Sequence, residues 1–214
     1  MPITPDTSPR PALSGRKARA TRNDELILDA AREVFLADAH APIAAVAERA
    51  GVGIGALYRR YPSKEALLRT LCSEGLRRYN LEADTALRNS DGWQGLVDFL
   101  QRVVEADVHS LTVHLAGEFT PDESILPVVT RPAEANDEIV RRAHATGRLR
   151  PGVTAQDLGL ILESCAAITT SDPERTAQLR RRLLAMLVTG LTVEGELPGP
   201  PPGPAEFAWR WQRR

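Results

Sequence analysis

Residues 51–58 read GVGIGALY, and two chemistries compete for them. Gly51, Gly53 and Ala56 have the G-x-G-x-x-G/A spacing with which a backbone loop cradles a dinucleotide pyrophosphate. Just beyond them, Arg59 and Arg60 are cations that can reach either guanine O6 and N7 or a phosphate. Other reactive types are sparse. Cys72 and Cys165 have neither metal-site nor disulfide-framework spacing. His114 and Glu118 stand four residues apart, a tempting start for a metal site, but they lack companions, so no metal is expected. There is no nucleophile elbow, no phosphate loop beyond the one in question, and no paired acid and base. Neither an enzyme nor a cofactor is expected.

The flanking elements decide between the two readings. A dinucleotide fingerprint follows a buried strand, whereas IAAVAERA before Gly51 sets Glu48 and Arg49 among apolar residues at helical spacing. About 20 residues later no strand carries the acid that would hold a ribose. Gly51 is therefore read as the left-handed residue that ends a helix, a conformation only glycine adopts cheaply. Val52 tucks beneath the pair, and a short helix follows over about 54–61. Pro42 stands at the first position of the preceding helix, 42–50. The stretch is the turn of a helix-turn-helix.

Periodicity extends the helical reading to the whole chain. Leu26, Ile27, Ala30, Ala31, Val34 and Phe35 form the first apolar stripe, with Asn23 or Asp24 as the expected cap. Pro62 stops the third helix, and Ser63 caps a long fourth one that reaches about residue 86 and buries Leu67, Leu68, Leu71, Leu76 and Tyr79. Further helices are predicted near 91–108, 110–119, 124–146, 154–170 and 172–191, with a break at GRLRPG (147–152) and Thr154 as an N-cap. Leu179, Leu183, Leu184, Leu187, Val188 and Leu191 share one stripe of the last helix. The tail LPGPPPGP is stiff and extended. Hydrophobic residues make up 43% and charged residues 26% of the 214, ordinary for a globular protein, and no apolar run reaches membrane-span length. Net charge is −1, yet five basic residues and no acidic one fall between Arg10 and Arg22. Arg16, Lys17 and Arg19 could enter a minor groove, brush a backbone, or lie on a solvated arm.

The run from Arg22 to Leu68, through ILDAAREVF and IAAVAERAGVGIGALYRRYPSKEALL, resembles the DNA-binding domain of the TetR family of bacterial transcriptional regulators. About 60 residues, 19–79, match in order and spacing. Beyond them the chain is similar only in its helical layout. The resemblance implies a homodimer on a pseudo-palindromic operator, with repression lifted by a small molecule. It assigns Tyr58 and Lys64 to phosphate contacts, Gly53, Ile54, Gly55 and Ala56 to base edges, and Arg22 to the backbone at the start of the first helix. Tyr58 without the motif reads as a packed aromatic; Leu57 and Tyr61 read as core. Pro42 departs from the pattern: many members have Thr there, whose hydroxyl caps the second helix and touches phosphate.

The expected architecture is all-α: a basic flexible arm at 1–18, a helix-turn-helix domain at 19–79, an effector-binding and dimerisation body at 80–194, and a proline-rich tail at 195–214. Double-stranded DNA, a second copy and an unidentified effector are the expected partners, in the cytoplasm. Leu179, Leu183 and Leu187 are the expected dimer contacts, with the protein's own core as the competing place for that stripe. Candidate effector contacts are His109, His114, Trp93, Glu118, Asn136 and Cys165, none of them decisive. A second class of function fits the same fold: a DNA-bound scaffold whose body meets a protein. An internal cavity of several hundred Å³ would favour the repressor, and a filled core with an apolar patch would favour the scaffold.

Overall fold

A computed structural model describes residues 12–115, 126–192, 194–203 and Glu206, with backbone alone at 12–21, 112–114 and 126–130. Among the described residues there are nine helices and no strand: α1 (Ala12–Ala37), α2 (Ile43–Arg49), α3 (Ile54–Arg60), α4 (Lys64–Arg88), α5 (Gly92–Glu105), α6 (Val108–His114), α7 (Leu126–Ala145), α8 (Ala155–Ala166) and α9 (Pro173–Gly190). The all-α expectation holds.

Two apolar cores organise these helices. In the head, Ile27, Ala31 and Phe35 of α1 close over Val46 and Ala47 of α2, Leu57 of α3, and Leu67, Leu68 and Leu71 of α4. In the body, Tyr79 and Ala83 of α4 meet Leu96, Phe99 and Leu100 of α5, Ile139 and Val140 of α7, Leu158 and Leu162 of α8, and Leu184 of α9. α4 runs through both cores because its apolar residues persist over 25 residues. α6 divides its allegiance: Val108 belongs to the body core, while Leu111, with Leu115 just past its end, is buried in the head core.

Local chemistry sets the joints. Ser63 caps α4, its hydroxyl accepting from the Ala66 N–H at 3.0 Å, as expected of a serine just before a helix. At the other end Arg142 donates to the carbonyls of Leu87 and Asn89, satisfying acceptors the helix leaves open. Gly92 lets α5 pass close to α7, where a Cβ would run into the Arg142 carbonyl. Thr154 precedes α8 as predicted, and the Asp157 carboxylate reaches back to accept its N–H at 2.7 Å and its hydroxyl at 2.9 Å.

Three expectations are corrected. α1 starts at Ala12, so Asn23 and Asp24 lie inside it and do not cap it. The stretch 12–21 is rich in alanine and arginine, good helix formers, and no proline interrupts it before Pro42. Residues 12–18 are thus helical rather than part of a flexible arm, whereas 1–11 lie outside the described residues. Pro42 stands one place earlier than predicted, as the residue before α2, extended at φ −70° and ψ 150°.

Candidate nucleic-acid interface

The joint between α2 and α3 is a helix end closed by two backbone bonds. The Gly51 N–H reaches the Glu48 carbonyl at 3.1 Å and the Val52 N–H the Ala47 carbonyl at 3.0 Å. Gly51 has φ +65°, the left-handed conformation that this Schellman closure requires. Val52 turns half-buried onto the head core, and Gly53 leads into α3 with its carbonyl accepting from Ala56 and Leu57. A dinucleotide loop would need a strand before it, and α2 stands there instead.

α3 sorts its residues by the helical period. Leu57, and Tyr61 just beyond the helix, are buried as expected. On the opposite face Ile54 is 44% and Tyr58 47% exposed, flanked by Gly55 and an exposed Arg59. Tyr58, which the sequence allows to be either packed or outward, points outward. A methyl placed on Gly53 or Gly55 would meet no atom within 4 Å, and neither glycine has a positive φ. Ala56 is half-buried between the two faces, while Pro42 and Arg22 are both exposed on α3's neighbours.

Two of the expected DNA-contacting cations already have partners in the fold. Arg60 is held by Asp24 of α1 at 2.6 Å, and this contact raises the guanidinium pKa above its ordinary value. The buried Tyr61 phenol beside it is raised as well, first by desolvation and then by the charge of Asp24. Lys64 donates to the Ala39 carbonyl at 2.8 Å and stands 5.2 Å from the centre of the Phe35 ring. A cation in a first helical turn opposes the helix dipole, and this carbonyl supplies the compensating acceptor. Sequence reasoning misses both partners, which lie well before these cations in the chain. One signal exists for Asp24, an acid beside a basic run, but by position it reads as a cap.

The body holds the other candidates. Asn136 accepts from the Tyr79 hydroxyl at 2.9 Å, and Arg148 stands 5.8 Å from the Trp93 ring. Cys165 is buried, its thiol raised by desolvation. His109 is half-buried on α6. The His114 side chain and Glu118 lie outside the described residues. The cleft bordered by Val103, His109, Ser110, Leu162, Cys165 and Arg180 measures about 10 Å³. Arg180, buried, donates to Asp107 at 2.5 Å, to the Ile168 carbonyl at 3.0 Å and to the Ala166 carbonyl at 3.3 Å. Asp107 itself has φ 49°, alone in a positive φ among the described non-glycine residues.

A three-helix head with a solvent-facing α3, fused through α4 to a helical body, defines a helix-turn-helix transcriptional regulator. Residues 27–71 match the family model of bacterial regulatory proteins of the tetR family, and residues 92–193 match the model of the C-terminal domain of SbtR-like transcriptional regulators. The chain belongs to the TetR family. No curated protein matches it significantly. Among solved structures it is similar to the regulator SCO0520 of Streptomyces coelicolor, with 24% identity over 80% of this chain and 99% of that one and a TM-score of 0.55. It is also similar to PfmR of Thermus thermophilus, with 20% identity, 77% and 98% covered, and a TM-score of 0.60. A third is LfrR of Mycobacterium smegmatis in complex with proflavine, with 24% identity, 82% and 99% covered, and a TM-score of 0.56. These likenesses establish a common fold. Among the described residues no helix is long and apolar enough to cross a membrane.

Proposed function

We propose that the protein is a homodimeric repressor that binds a pseudo-palindromic operator in the bacterial cytoplasm and is released by a small-molecule effector. The observation that carries the DNA-binding part is the outward face of α3. Gly55 weakens a helix by about 0.5–1 kcal/mol relative to alanine, and nothing inside the chain requires its lack of a side chain. A surface that must let bases approach the backbone does require it. Gly53, Ile54, Gly55 and Ala56 would meet base edges. Tyr58, Arg59, Arg22 and the start of α2 at Pro42 would border the phosphates, Pro42 by contact alone because it has no N–H. Lys64 keeps two N–H groups beyond the one given to Ala39, so a phosphate contact there rests on the family resemblance.

Dimerisation is assigned to α8 and α9. The inward face of α9 is Thr176, Arg180 and Leu184, with Leu191 just past its end, all buried. Leu179, Leu183 and Leu187 lie on its flank and are half-buried in the single chain, Leu183 and Leu187 against the body core. Part of the stripe therefore serves the chain's own core, and the remainder is continued outward by Met186, 56% exposed, and by Leu160 of α8, 40% exposed. A four-helix contact across a two-fold axis would cover these residues. Changing both Leu160 and Met186 to Glu spares the core and should give folded monomers by sedimentation; a folded dimer would place the interface elsewhere.

The scaffold reading draws on one observation, the cleft of about 10 Å³ beside His109, which is far below the several hundred Å³ of a ligand pocket. Under the repressor reading the effector either opens this cleft or takes one of the wider surface clefts, of about 370 Å³ beside Arg181 and Ala185 or about 800 Å³ beside Pro151 and Leu160. Screening small molecules by thermal shift separates the two: a ligand that stabilises the protein and weakens DNA binding supports the repressor, and a ligand that binds the body without touching DNA affinity counts against release.

A further inference from the structure

Arg60 is exposed on the recognition helix, and its charge is cancelled by an acid from a different helix. Its side chain keeps 59% of its surface in solvent, while the Asp24 side chain keeps 23%, so the cation faces outward over a mostly covered carboxylate. Asp24 follows the exposed Arg22 by two residues on α1, next to the surface that faces DNA under the proposed function. We propose that Asp24 is an affinity-setting residue of this interface: by holding Arg60, it withdraws one cation per protomer from the DNA phosphates and leaves recognition to the outward face of α3. The inference rests on the DNA-binding reading.

Charge and geometry support the assignment. The contact between Arg60 Nη2 and the Asp24 carboxylate is charge-assisted, and so stronger than a neutral hydrogen bond. A phosphate approaching Arg60 would meet a pair with no net charge. The same pairing ties the end of α3 to α1, so Arg60 is a positioning residue of the recognition helix and not a reader of guanine. With its arginine side largely in solvent the pair adds little to stability, so its loss can be read in DNA affinity without unfolding the head.

The test needs no knowledge of the operator, because phosphate contacts are independent of sequence. Wild type, Asp24→Asn and the charge-neutral double variant Asp24→Asn with Arg60→Gln are titrated against a random-sequence duplex of about 30 base pairs across several salt concentrations, with thermal melting to verify folding. Each added phosphate contact steepens the log-affinity against log-salt slope by about 0.9, hence about 1.8 for a dimer. Asp24→Asn should steepen the slope by that amount and bind the duplex more tightly at low salt. The double variant should return to the wild-type slope. An Asp24→Asn slope equal to wild type would mean that freeing Arg60 adds no phosphate contact, and a double variant flatter than wild type by about 1.8 would mean that Arg60 already holds one; either result would overturn the inference. A wild-type protein that fails to bind any duplex would instead remove the DNA-binding reading itself.

Discussion

The head and the body are both helical and both closed around leucine-rich cores, yet their polar residues behave differently. In the body the conspicuous polar groups turn inward and find each other: Arg180 meets Asp107 and two carbonyls, and Tyr79 meets Asn136. In the head α3 presents Ile54, Gly55, Tyr58 and Arg59 to solvent with no structural reason inside the chain. Residues that the fold does not explain mark the surface where a partner does. The comparison also qualifies the head itself, because Arg60 and Lys64, both expected from sequence as DNA contacts, are partnered like body residues. The two regions meet in α4 and α6, and α6 gives each core one end of a seven-residue helix.

The largest expected effect breaks the body side. Arg180→Ala strips two carbonyls and the Asp107 carboxylate of their donor at a position where the arginine is buried. Removing one partner of a buried pair costs about 3–5 kcal/mol; Asp107 keeps a third of its side chain in solvent, so about 3 kcal/mol is expected, read by chemical denaturation. Because Asp107 begins α6 and α6 enters the head core, DNA affinity should fall as well. A variant of unchanged stability would show that Arg180 is not what holds α6 in place.

Lys64→Ala comes next and sharpens the boundary between the two kinds of residue. It removes a charged hydrogen bond to Ala39 and the ammonium above Phe35, so the head should lose about 1–2 kcal/mol. If Lys64 also grips phosphate, the salt slope of DNA binding flattens by about 1.8 per dimer. A stability loss with an intact slope would move Lys64 wholly to the side of the fold.

How much of this is legible in the sequence follows from distance along the chain. The joint at Gly51, the cap at Ser63 and the inward turn of Leu57 and Tyr61 depend on neighbours a few residues away, and the sequence shows each of them. The partners of Arg60 and Lys64 are hidden, because Asp24 and Ala39 come close only when α1 folds over α3 and α4. The start of α1 is misplaced from sequence because its basic charge points to a solvated arm, while the alanines among those charges favour helix. The double role of α6 is hidden for another reason: Val108, Leu111 and Leu115 make one apolar pattern, and nothing in a pattern says that two cores share it. The α9 stripe shows the same limit, since Leu184 faces the body and Leu179 its flank.

A smaller effect concerns acid. Asp91 caps α5, accepting from the N–H groups of Trp93 at 2.9 Å and Gln94 at 3.1 Å, and it also meets Arg148. The Gln94 bond leads the causes that lower its pKa below the ordinary carboxylate value of 3.8. Because the folded pKa is depressed, the cap's contribution is full above the unfolded value and is lost as pH falls below about 3.8 through the lower folded value. Asp91→Asn should therefore narrow the stability difference from wild type as pH drops into that range, followed by thermal melting at stepped pH. A difference that stays constant would mean that the carboxylate charge is not what stabilises the start of α5.

The claim that the outward face of α3 reads DNA is tested most directly by selecting bound duplexes from a random pool and sequencing them. A dimer with two such helices should enrich an inverted repeat whose half-sites lie about 34 Å apart, one helical turn of DNA. The same selection with Gly55→Leu, at a position where a Cβ meets no atom within 4 Å, should lose that repeat while the protein melts as wild type does. Enrichment of the same repeat by Gly55→Leu, or no enrichment by the wild type, would contradict the account.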